Sequence, residues 1–122
     1  MLQLPMRDFR KLIVWQKGHE LVLSVYRSTA TYPKDELFGL TSQTRRSVCS
    51  ITHNLAEGCG RSTEVELARF MDIASGSASE LENQLLIGRD LHFLKNEDYE
   101  KLQCQLVEIR RMLNSYIQKL RK

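Results

Sequence analysis

After Pro33, through to Lys122, the chain contains no proline, and its one other proline is Pro5. So long a proline-free run leaves the backbone free to form extended helices, because a proline inside a helix removes a hydrogen bond and clashes with the preceding turn. The apolar spacing uses that freedom. Before Pro33, Trp15, Gly18, His19, Val22, Tyr26 and Thr29 recur at three- and four-residue steps, and Leu12 and Val25 broaden the stripe. Tyr32-Pro33-Lys34-Asp35 ends this first helix, since proline pushes the residue before it out of helical geometry.

The spacing predicts a second helix from about Asp35 to Glu57, with acidic residues at the end where the helix dipole favours them. Leu40, Thr44, Val48, Ile51 and Leu55 form its apolar face, and Gly58-Cys59-Gly60 reads as a left-handed glycine stop. Thr63-Glu64-Val65-Glu66 matches a capping box in which Glu66 reaches back to Thr63. The third helix then carries Leu67, Phe70, Met71, Ala74, Ala78, Leu81, Leu85 and Leu91 at helical period. Asn96-Glu97-Asp98 opens a fourth, sustained by Tyr99, Leu102, Leu106, Ile109, Leu113, Ile117 and Leu120. No strand-like alternation competes. Long amphipathic helices with short links pack as antiparallel neighbours, so the expected fold is all-α, a single domain over 1–122 forming an up-down-up-down antiparallel four-helix bundle.

Several functions are disfavoured at once. The longest apolar run, Leu12 to Trp15, falls far short of the ~20 residues of a membrane span, and the N-terminus lacks the apolar core of a secretory signal. A cytoplasmic protein with no membrane partner is expected, so Cys49, Cys59 and Cys104 read as reduced thiols. No CxxC or HxxxH pair suggests zinc. The Glu-x-x-His motif of di-iron bundles is missing, because Gln16, Ser50 and Arg89 stand three residues before His19, His53 and His92. Cys49 and His53, like His53 and Glu57, lie one turn apart but lack the further groups a nucleophile or a metal requires. Gly58-Cys59-Gly60-Arg61 is too short for a phosphate loop and closes a helix. The expectation is a protein that is not an enzyme, with no cofactor and no metal.

One stripe does not fit an ordinary helix. Gln43, Arg46 or Ser47, Ser50, Asn54, Glu57 and Arg61 recur at helical steps beside the apolar face of the second helix. A solvated face usually carries Lys and Glu; these side chains instead make fixed hydrogen bonds, and buried polar groups must be satisfied. Ala74, Gly76, Ser77, Ala78 and Glu80 offer a facing surface of small residues on the third helix, where Glu80 is placed to pair with Arg46 or Arg61. A hydrogen-bonded network between helices or between subunits is the expected use.

At these residues the chain resembles a known family. Leu40-x-x-Gln43-x-x-Arg46, Ser50-Ile51-x-x-Asn54-Leu55-Ala56-Glu57-Gly58, Gly60-Arg61 and Ala74-Ser75-Gly76-Ser77-x-x-Glu80-Leu81-Glu82 look like the four-helix-bundle proteins encoded in intervening sequences of bacterial 23S ribosomal RNA genes, the S23 ribosomal protein-like family. Leu12-x-Val14-Trp15-Gln16-Lys17 and the Tyr32-Pro33 link agree with it. Gly18, where alanine is usual, and Ser75, where a small apolar residue is common, depart from its pattern. The resemblance implies a ring-like homopentamer, similar in architecture to the nucleic-acid-binding accessory protein of diversity-generating retroelements.

Two kinds of partner besides the chain itself remain open. Net charge is only +3, from 18 Lys and Arg against 15 Asp and Glu, which permits phosphate contact without demanding it. Arg7, Arg10, Lys11, Lys17, Arg45, Arg69, Arg110, Arg111, Lys119 and Arg121 are the candidate contacts to RNA or DNA. In a ring each cluster is repeated, so weak contacts add. The other reading is a protein-interaction scaffold with no nucleic-acid role, for which Phe38, in the link before the second helix, is the candidate interface residue.

Overall fold

The computed structural model describes residues 7–122; Pro5 and most of the stretch read against a secretory signal lie outside the described residues. Four helices follow in order: α1 (Ile13–Thr29), α2 (Leu40–Cys59), α3 (Glu64–Asp90) and α4 (Asn96–Leu120). They pack as a four-helix bundle in which α2 neighbours α1 and α3, while α4 neighbours α3 and α1. One apolar core runs through it, from Val14, Leu21 and Val25 through Ile51, Leu55, Met71, Leu81 and Leu85 to Leu106, Ile109 and Leu113. No helix is long and apolar enough to cross a membrane among the described residues.

The inward face of α1 is turned from the stripe expected for it. Val14, Gly18, Leu21, Val25 and Thr29 are buried, whereas His19 and Tyr26 are exposed and Trp15 is half-buried. The aromatic edge lies along the flank of the bundle instead. Trp15 stacks on His19 with ring centroids 4.9 Å apart, and Phe9 meets its edge at 5.0 Å. Gly18 lets α1 approach α2 closely, since a Cβ there would stand 3.0 Å from Thr52 Cγ2.

Helix α2 begins at Leu40, five residues later than its acidic start suggests. Lys34–Glu36 form a separate 3-10 turn after Pro33, and the Glu36 carboxylate accepts the Leu40 N–H at 3.1 Å. The acid caps the helix from outside and does not belong to it. At the other end the helix does stop at Gly58-Cys59-Gly60, but not through a left-handed residue. Gly60 is right-handed, with φ −82°. Gly58, still within the helix, serves close packing on α3, because a Cβ there would stand 3.0 Å from both Leu67 Cδ1 and Phe70 Cβ. Thr63 caps α3 as expected, accepting the Glu66 N–H at 3.2 Å, while the Glu66 carboxylate goes forward to Arg69 instead of back. Leu91, placed on the apolar stripe of α3, lies just past its end and is half-exposed.

Candidate functional site

The polar stripe of α2 faces α3 along its solvent edge. Its centre is a compact network: Ser50 Oγ and Ser77 Oγ are 2.7 Å apart, and Asn54 donates to the Ser50 carbonyl at 2.8 Å and its hydroxyl at 3.1 Å. Ser77 is buried, and Ser50 and Asn54 are half-buried. At one end Arg61 pairs with Glu57 at 2.8 Å and lies over the Phe70 ring, 5.0 Å from its centroid. The expected pairing of Glu80 with Arg46 or Arg61 does not form within the chain. Among the described residues neither Glu80 nor Arg46 has an oppositely charged group within 4 Å, and both are exposed, as is Gln43. Arg61, just past the end of α2, turns back to Glu57 in that helix's last turn, the shorter reach.

The outer side of α3 was not legible as a surface from its polar residues alone. Ile73 and Ile87 are 42% and 39% exposed, Leu91 is 53% exposed, and Gly76 has no heavy atom within 4 Å of where a Cβ would lie. Packing inside the chain therefore does not explain the mid-helix glycine. Gln84 Oε1 is buried on this side without a hydrogen-bond partner among the described residues. The seven-residue spacing Ile73–Glu80–Ile87, beside the core seam, was the sequence signal.

Phe38 stands 94% exposed, next to Leu37 at 49%. With Tyr26, Thr41, Arg45, Arg46 and Cys49 they border a shallow hollow of about 450 Å³ at the α1/α2 edge. Arg45 is fixed there by a hydrogen bond to Thr29 Oγ1 at 2.9 Å and lies 4.6 Å from the Tyr26 ring centroid. The Tyr26 hydroxyl contacts Cys49 Sγ at 3.8 Å, and this contact, with burial second, raises the Tyr26 phenol above its ordinary value. Cys49 thus faces a phenol and His53 faces solvent.

The ten candidate nucleic-acid residues differ in how their charge is placed. Six have their charge offset inside the chain: Arg7 by Glu64, Arg10 by Asp8, Lys17 by Glu108, Arg69 by Glu66, Arg110 by Glu82 and Arg121 by Asp72. The Arg10 side chain holds the Asp8 carboxyl below the usual carboxylate range. Lys11, Arg111 and Lys119 are exposed on separate turns without an acidic partner among the described residues. Nor do three His, Cys, Asp or Glu side chains converge among those residues in a way that could hold a metal. Cys59 is a buried free thiol, raised above its ordinary value by burial.

A family model described as 23S rRNA-intervening sequence protein matches residues 10–115. A solved structure of a protein of unknown function from the S23 ribosomal protein family of Bacteroides thetaiotaomicron has the same fold, with a TM-score of 0.80. The two chains are 23% identical over 87% of this chain and 96% of that one. No curated protein matches the chain.

Proposed function

The chain belongs to the family of 23S rRNA-intervening sequence proteins, and on that footing we propose that it acts in the cytoplasm as a self-associating, non-enzymatic helical scaffold. The observation that carries this reading is Phe38, an aromatic ring left 94% exposed beside half-exposed Leu37. Burying a side chain of that size is worth about 1.5–3 kcal/mol, and aromatic anchors dominate the energies of protein interfaces. A second copy covering Phe38 recovers what a lone subunit forgoes. The ring of five implied by the family resemblance is the assembly expected. In sedimentation at micromolar concentration the wild type should run as one oligomeric species and Phe38→Ala as smaller ones. A wild type that is a single subunit throughout removes the reading, while a variant with an unchanged oligomer removes Phe38 from the interface.

Contact with RNA or DNA is the second reading, favoured by the cations that lack acidic partners among the described residues, Lys11, Arg111 and Lys119. With few aromatics to stack on bases, such binding would follow phosphate charge and weaken steeply with salt. Titration of a labelled structured RNA against salt tests it. Changing Arg110, Arg111, Lys119 and Arg121 to Gln should abolish binding while the oligomer persists, and binding indifferent to salt would refute it.

A further inference from the structure

Resting on the scaffold reading, we infer that self-association joins two different surfaces: the outer stripe of α3 on one copy seats against the α1/α2 edge of the next, with Glu80 meeting Arg46. Ile73, Glu80 and Ile87 recur every seven residues, the repeat of a helix packed along another helix. The core already takes a different seam of α3, through Leu67, Met71, Ala74, Ala78, Leu81 and Leu85. The outer seam has no partner among the described residues of its own chain. Its two isoleucines are partly exposed, and Gly76 between them leaves a flat spot open to a second backbone. That glycine costs α3 about 1 kcal/mol relative to alanine, and close approach of a neighbour supplies the reason for it.

The α1/α2 edge offers the matching chemistry at matching heights. Helices α2 and α3 run antiparallel, and the Ser50–Ser77 hydrogen bond sets those two residues level. One turn along from that pair, Arg46 is level with Leu81, beside Glu80. Two turns further, Phe38 and the hollow around it are level with the segment between Ile87 and Leu91. A closed ring rotates from copy to copy without rising, so in the inferred arrangement, with the helices parallel to the ring axis, each surface meets its neighbour at its own height. Without any axial shift, apolar then faces apolar and Glu80 faces Arg46, two opposite charges that have no partner among the described residues of their own chain. Because the two surfaces differ, each copy keeps one of each after binding, which is the condition for a ring instead of a simple pair.

Two surface variants test this, each disabling one side. Ile87→Asp keeps the edge and loses the stripe; Phe38→Asp keeps the stripe and loses the edge. Alone, each should sediment as a single subunit with the helicity of the wild type. Mixed in equal amounts they should form a one-to-one dimer that grows no further. Glu80→Arg should weaken association at least about tenfold, and Glu80→Arg combined with Arg46→Glu should restore it. A mixture that stays unassociated, or a double variant no better than the single, overturns the pairing. If the wild type is itself a single subunit, the scaffold reading falls. If the wild type assembles and none of these substitutions disturbs it, only the assignment of faces falls. Loss of RNA binding with the oligomer intact would hand these surfaces to nucleic acid and overturn the inference too.

Discussion

Replacing Tyr32 with Phe should make this protein more stable. Tyr32 is buried, its ring packs against Phe93 at a centroid distance of 5.7 Å, and its hydroxyl has no hydrogen-bond partner among the described residues. That hydroxyl presses on α3 at Gly88, where a Cβ would collide with Tyr32 Oη and stand 3.2 Å from Cζ. A buried, unpaired hydroxyl costs about 1–3 kcal/mol. Removing the oxygen also gives up its dispersion attraction to the atoms around it, roughly a few tenths of a kcal/mol, so Tyr32→Phe should gain about 1 kcal/mol. For a chain of this size that is roughly 4 °C in Tm, readable by thermal and urea unfolding at matched protein concentration. Gly88→Ala should be destabilising in the wild type and less so in the Tyr32→Phe background, with a coupling of about 1 kcal/mol. The titration has a definite sign as well. Burial raises the Tyr32 phenol above its ordinary 10.0, so the folded state holds a proton that the unfolded state releases. This contribution to stability is whole below that value and is lost as pH climbs through the raised one, a loss Tyr32→Phe should not suffer. A Tyr32→Phe protein less stable than the wild type by about 1 kcal/mol, or strict additivity with Gly88→Ala, would refute the reasoning, because the hydroxyl would then have a partner.

Other substitutions test the α2/α3 contact. Ser50→Ala or Ser77→Ala should each cost about 1 kcal/mol in urea unfolding, and the double variant should cost less than their sum, since it leaves no hydroxyl stranded. Gly58→Ala should destabilise by about 1–3 kcal/mol, because the new methyl meets a Phe70 Cβ fixed on a neighbouring helix; an unchanged Tm would mean the helices yield there. Gly76→Ala should do the reverse in a dilute, dissociated subunit and gain about 1 kcal/mol, while lowering the oligomer population on a sizing column. A dilute subunit that loses stability would show that the position is filled from within.

The bundle was largely legible in the sequence because its signals are local. Heptad spacing in α4, the Thr63 cap and the glycine-marked end of α2 each depend on residues within a turn or two of one another. What escaped depends on how helices meet. On α1, Trp15 and Tyr26 have the apolar surface of core residues, yet the narrow space beside α2 admits Gly18 and Leu21 and leaves the larger rings on the flank. Glu36 has the position of a first-turn acid of α2 and is instead its external cap, a difference fixed by the 3-10 turn that follows Pro33. The polar stripe stands out by composition, and its centre, Ser50, Asn54 and Ser77, does form a network. The cations are another matter. Sequence counts charges but does not show which are offset, and only the packed helices bring Arg110 to Glu82 and Arg121 to Asp72.

The level pairing of Ser50 with Ser77 has a consequence for evolution. Along the α2/α3 hairpin one residue number rises as the other falls, and a contact across copies at equal height obeys the same rule. Substitutions that co-vary between neighbouring subunits would therefore lie on the same antidiagonal of a covariation map as those that co-vary within one chain. A monomer rebuilt from such pairs would absorb the contacts of the proposed ring without contradiction. Side-chain reach is what separates the two: Ser50 closes on Ser77 at 2.7 Å inside one chain, and Arg46 does not close on Glu80.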